Sequence, residues 1–433
     1  MKIRAAVLLL LCLPMAAMAA FGPGKIMFSA GGASLYPPQL VTDQNLMASS
    51  LPAGITYSRT GTATDIISGV VTRFSANAPR ISTANGLLIE PGRTNLVKMN
   101  SSAATAGTLT SGETDPEGTS LAYLYTATAT TTGQQWSTGA STIAYANGTT
   151  YTTSAFVKAG TFDRVQMFIS SSVVATGNAY ANYYLNGSGS VSAAGASITA
   201  SGIQSLGTGW YRIWMTFTAT GASTNTLAFC KIITGSETRA PSVAGSSQTM
   251  YFYGAQVEVG ATLTSYIPTT TASATRGADI AYETMPFSFK AATIYAAGTV
   301  PYFSSAQSTA RLISAASSTS NTAYINRPLS GSDHINGQVT TGGVSQANID
   351  SGQAPAQGAT VKAAMGMAID DVGISGNGAT AVDDTSTPNG LPTISAIYIG
   401  QDSASGNQWG GYVTAYKVWN YRQTDSYLES LTP

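Results

Sequence analysis

Apolar and polar residues alternate with a period of two along most of the chain. The pattern is clearest from Trp210 to Thr218, where Tyr211, Ile213, Met215 and Phe217 fall on one side and Trp210, Arg212, Trp214 and Thr216 on the other. Such alternation marks a strand with one face on a core. It recurs in Leu121 to Ala129, Thr150 to Ala159, the Val165, Met167, Ile169 run, Leu227 to Ile233 and Met250 to Val259. A second series comprises Ala292 to Ala296, Arg311 to Ala315, Thr322 to Ile325, Ala363 to Ile369, Ile394 to Ile399 and Gly411 to Trp419. Asn377-Gly378 and Asn389-Gly390 are tight-turn signals between strands. Almost nothing has helical periodicity; Asp425 to Leu431 reads as a single helical turn. The expected fold class is all-β, with two antiparallel β-sandwich domains. Thr269 to Asp279, rich in Thr, Ala and Ser, reads as the connection between them.

Composition narrows the function classes. Only 9% of residues are charged, against roughly a quarter in ordinary soluble proteins. Twenty basic and twenty acidic residues give zero net charge, and no basic stripe exists, so nucleic acid is not an expected partner. Recurring aromatic and β-branched positions separate the chain from disordered polar sequences.

Met1 to Ala20 has Lys2 and Arg4 ahead of the apolar run Ala5 to Leu13, then Pro14 and the small-x-small triplet Ala17-Met18-Ala19. This predicts an export signal cleaved after Ala19, and hence an extracellular, secreted or virion-associated protein; a buried N-terminal segment is the alternative. The mature chain has no stretch suited to a membrane helix. Loss of Cys12 would leave Cys230 alone, without an intrachain disulfide.

Several segments together resemble phage tail and head-spike fibre proteins. Gly86-Leu-Leu-Ile-Glu-Pro-Gly-Arg-Thr-Asn-Leu96 is similar to their GLLIE-x-x-x-TNL signature. Ile55-Thr-Tyr-Ser-Arg-Thr-Gly-Thr-Ala-Thr64, Ala78-Pro-Arg80, Tyr151 to Ala159, Gly209 to Trp214, Gly254 to Glu258, Thr264 to Thr269 and Thr275-Arg-Gly-Ala-Asp279 follow in family order. The resemblance implies a carbohydrate-binding-module-like jelly roll over 96–268 and a concanavalin A/laminin-G-like sandwich over 284–433. A β-rich arm over 20–95 precedes them, and a linker over 269–283 joins them. It further implies a non-enzymatic fibre or adhesin that binds cell-surface glycan, with other virion proteins and a homotrimer as expected partners. A secreted bacterial lectin-like protein and a polysaccharide depolymerase are the alternatives. No G-x-S-x-G or H-E-x-x-H motif is present.

Candidate sites each have a structural counterpart. Trp409, with Asn407, Gln408 and Tyr412, and Trp136 lie in polar, loop-like surroundings and are the expected sugar contacts; rim packing is the other use of such rings. Trp210, Arg212 and Trp214 form either a stacking platform or a packed face with Arg212 paired to Glu258. Glu90, Arg93 and Asn95 form either a polar pocket or a local ion pair plus a turn-capping amide. No cofactor is expected. Calcium is the one metal to weigh, through Asp370-Asp371 and Asp383-Asp384, against solvated turn carboxylates. His334 reads as a turn residue.

Overall fold

The computed structural model describes residues 37–98, 102–129, 133–139, 141–175, 178–231, 235–299, 309–327, 333–356 and 358–433. The signal-like segment 1–19 and Cys12 lie outside the described residues. All strand pairs recorded are antiparallel, and a single helix, Asp425–Leu431, is found among the described residues. No described helix is long and apolar enough to cross a membrane.

Two sandwiches lie within the compact unit Pro38–Pro433. The first stacks two six-stranded sheets. One runs Ile198–Ser205, Trp210–Thr218, Thr150–Ala159, Thr249–Val259, Ala122–Ala127 and Gly107–Glu113. The other contains Tyr180–Tyr184, Arg164–Phe168 and Ala228–Lys231 among its strands. Ile213, Met215, Phe217 and Tyr211 fill the core between them, opposite Ala155, Tyr151 and Val157 in register. The opposite face of Trp210–Thr218 is buried too. Trp210 packs with Val71, Leu206 and Tyr266 beneath the hairpin Ala63–Ile67/Val70–Phe74. A strand covered on both sides still alternates, because one face meets its sheet partner and the other a hairpin.

The second sandwich draws on a much longer span of chain than 284–433. Its eight-stranded sheet includes Ala292–Thr299 and Gly411–Trp419, and it takes Leu40–Asn45, Ile81–Ser82 and Gly86–Ile89 from the predicted arm. Leu40–Asn45 pairs with Gly411–Trp419, as does Gly86–Ile89. Ile55–Ser58 edges the seven-stranded sheet beside Ile280–Phe289. The predicted linker 269–283 is built into the fold as well. Ala274–Arg276 pairs with Arg93–Asn95, and Arg276 and Asp279 are fully buried. Alternation identifies a strand and its inner face but carries no record of its partner, so strands some 370 residues apart looked independent.

Candidate functional site

The segments that carry the family resemblance converge on one buried joint. Tyr57, Arg59, Arg80, Glu90, Arg276 and Asp279 meet where both sandwiches and the hairpin come together. Arg80 lies 2.5 Å from Glu90 and bonds Asp279; Arg276 lies 2.6 Å from Glu90, and Arg59 3.3 Å from Asp279. Ser265 closes the set, donating to Glu90 from its amide at 2.8 Å and its hydroxyl at 2.7 Å. Burial alone would raise the Glu90 carboxyl, but Arg276 and Arg80 hold it down at about 2. Burial and the neighbouring Arg80 push Arg276 down from its usual range. Arg59, Arg80 and Arg276 have fully buried side chains, so the joint offers no opening to a ligand. Its role is to fix the layers.

Glu90, Arg93 and Asn95 therefore do not form one pocket. Glu90 serves the joint, and Arg93 approaches Glu258 at 3.8 Å. Asn95 donates to Ala255 O and Ile267 O and accepts from Val97 N and Val257 N. Arg212 donates to Ser154 at 3.1 Å and lies over the Phe156 ring, within a buried face that includes Trp210 and Trp214.

The structure takes the predicted sugar contacts apart. Trp409 is 2% exposed, sits in the main core and donates its indole N–H to Thr299 O at 3.3 Å. Gly298 lets the neighbouring strand lie close, since a Cβ there would collide with Tyr412 O. Trp136 is 1% exposed and stacks on Phe252 at 4.6 Å. Tyr412 donates to Asp65 at 2.6 Å, and Gln408 to Ser405 O at 2.5 Å. In this arrangement neither indole can lie flat against a sugar. Polar, glycine-rich neighbours correctly mark a loop at 400–410, but the large apolar ring within it turns inward because burial is worth more to it than to any neighbour. Asn407 is exposed, but its side-chain amide donates to Asp402 at 2.6 Å and its carbonyl accepts from Arg311 N at 2.9 Å.

Asp371 and Asp383 do converge, together with Asp425, but on the guanidinium of Arg422, at 2.8, 3.2 and 2.5 Å. Asp370 is occupied by Thr387. Among the described residues no cluster of His, Cys, Asp and Glu is arranged to hold a metal.

The face that remains is the outward side of the seven-stranded sheet. On its inner side Ala281, Ile397, Ile313, Ala323, Val339 and Ala347 join the core. Their strand neighbours must project outward. Register aligns these as Tyr282, Tyr398, Ser314, Tyr324, Gln338 and Asn348, one from each successive strand. With strands about 4.8 Å apart the row extends roughly 24 Å. Tyr282 and Tyr398 are half-buried with ring centroids 5.9 Å apart; Gln338 is half-buried and Asn348 exposed. Arg311 lies 3.6 Å over the ring of Tyr324, whose hydroxyl donates to Gln338. Beside them Asn326 and Asn336 face each other in register. The opposite sheet differs: its outer side packs Tyr295, Ala364 and Trp419 against Leu428 of the C-terminal helix. Alternation could have found the aromatic and amide row, but only a knowledge of strand order assembles it.

No family model matches the sequence, and no curated protein matches it. Solved structures with some likeness include chicken galectin 2, at 18% identity over 31% of this chain and 95% of that one, with a TM-score of 0.24. A Ruminococcus gnavus IT-sialidase CBM40 has 13% identity over 34% of this chain and 84% of its own, with a TM-score of 0.26. Congerin II with lactose and MES has 15% identity over 32% and 98%, with a TM-score of 0.24. At such scores the likeness carries no argument about this chain. The all-β architecture rests on the strand pairing itself.

Proposed function

We propose that the protein is a non-enzymatic glycan-binding protein and that sugar docks on the outward face of the seven-stranded sheet. The observation that carries this reading is the cross-strand row, in which the half-buried rings of Tyr282 and Tyr398 lead through buried Ser314 and Tyr324 to the amides of Gln338 and Asn348, with the Arg311 guanidinium beside Tyr324. Aromatic faces pack against the C–H faces of sugars, while amides and guanidinium serve their hydroxyls. The row is built on strands, which hold such groups in fixed spacing better than loops do. Tyr398→Ala should abolish binding on a glycan array while leaving the melting temperature within a few degrees. Retained binding by the folded variant would remove the site. Steady release of reducing ends from host polysaccharide would replace this reading with the depolymerase.

The setting we infer is a phage-type fibre, on the strength of the motif block that resembles those proteins. The signal-like segment 1–19 favours a secreted lectin-like protein as the second reading. Recovery in purified virions supports the first. A mature N-terminus at Ala20 in periplasm or medium supports the second. Sedimentation of the full chain tests the trimer that the fibre reading expects.

A further inference from the structure

We infer that the ligand of this face is an acidic glycan, its carboxylate received by Arg311 and its hydroxyls by the side-chain oxygens of Asn326 and Asn336. The inference rests on the glycan-binding reading above and adds the class of sugar.

Arg311 stands between Ala310 and Leu312, both in the core, and so projects outward. Tyr324 carries its guanidinium on a ring face at 3.6 Å. Among the described residues no carboxylate forms an ion pair with it, and its Nε is buried without a partner. Arg80 and Arg276, by contrast, are matched by Glu90 within the joint. A guanidinium that is oriented by Tyr324, partly dehydrated, and attracted by Asp402 only from beyond ion-pair distance is suited to a carboxylate, which it grips through two parallel N–H donors.

Its cross-strand neighbour points the same way. Asn326 pairs with Arg311 in register and is only 6% exposed, yet its Oδ1 has no hydrogen-bond partner. Oδ1 of Asn336, the next residue across, is likewise buried and unpartnered. A buried polar atom left unmet is destabilising, and native structures contain few of them. One strong donor followed across two strands by two acceptors is the complement of a carboxylate beside hydroxyls. The carboxylates bordering the patch are already engaged. Asp402 accepts from Ala404 N, Gly406 N and Asn407 Nδ2. Asp350 lies 2.9 Å from His334 Nδ1.

The test is titration calorimetry on the full chain with two matched pairs: an oligogalacturonide against its carboxyl-reduced form, and sialyllactose against lactose. One acidic member should bind about tenfold or more tightly than its neutral counterpart, since a hydrogen-bonded ion pair replaces a neutral contact. Arg311→Gln should erase that advantage. Asn326→Asp sets a carboxylate of the same size beside the guanidinium and should erase it too, so the test does not depend on how the first variant folds. Equal binding of the acidic and neutral members by the unaltered protein overturns the acidic assignment and leaves the glycan reading standing. Binding of no sugar in either pair, nor of any on a wider glycan array, overturns both. Survival of the acidic preference in both folded variants overturns the role of Arg311.

Discussion

Asp65 enters the joint with one oxygen bonded to Tyr412 and the other buried without a donor. Burial raises its carboxyl from 3.8 to about 6, against the pull of Tyr412 and Arg80. A carboxyl with a raised folded pKa favours the folded state while protonated, and that advantage fades as pH rises through 4 to 6. Asp65→Asn should therefore melt above the unaltered protein at pH 8, by on the order of 1–3 kcal/mol, and the gap should close near pH 4. Glu90 has the opposite sign. Its depressed pKa contributes stability above about 4.5 that is lost as pH falls toward 2. Glu90→Gln leaves two buried guanidiniums short of a counter-charge and should cost about 3–5 kcal/mol by urea titration at pH 7. Trp409→Ala, made to test a sugar contact, should cost a similar amount as a core truncation. At this scale the sequence revealed residue types but not their surroundings. Trp409 and Trp136 looked alike as loop tryptophans and are both core. Arg311 and Asn326 gave no signal, because what distinguishes them is one buried, unmet atom each, Nε and Oδ1, which only packing defines.

Strands were legible and their neighbours were not. Period-two patterning located Trp210–Thr218, Thr150–Ala159 and Thr249–Val259, and correctly set Ile213 and Met215 toward the core. Ile55–Ser58 and Gly86–Ile89 fell within the expected β-rich arm 20–95 and looked separate from the second sandwich, because a short strand's partner is decided by which exposed edge it can complete. Leu46, Leu87 and Ile89 are fully buried in the second sandwich's core. A chain beginning at residue 96 should therefore fail to form that sandwich. Hydrogen exchange on such a chain should show the amides of Gly411–Trp419 unprotected, although those of Thr150–Ala159 remain slow. Native-like protection of Gly411–Trp419 would show that the N-terminal strands are dispensable.

Across the whole molecule, the joint ties the two sandwiches to one another. Glu90 bonds Ser265 at the end of the first sandwich and Arg276 at the entry to the second, while Arg73 and Glu117 pin the hairpin to the first. Calorimetry of the full chain at pH 7 should accordingly show one unfolding endotherm. Glu90→Gln should split it into two, with the second sandwich melting first. Two well-separated endotherms in the unaltered protein would mean the joint does not couple them. The low charge content was visible in the sequence; the gathering of Arg59, Arg80, Glu90, Arg276 and Asp279 into one internal network was not, because they are scattered over more than two hundred positions.

The pairing of Leu40–Asn45 with Gly411–Trp419 bears on how the chain is made. Asp43 and Lys417 are separated by 374 positions, on the order of tens of seconds of ribosomal synthesis. Throughout that interval the early strands emerge with no complementary edge in existence, while the first sandwich has everything it needs to fold. The strand Gly411–Trp419 is thus a clasp, fastened only after the rest of both sandwiches has been made. A nascent chain stalled before it would be a ready client for holdase chaperones.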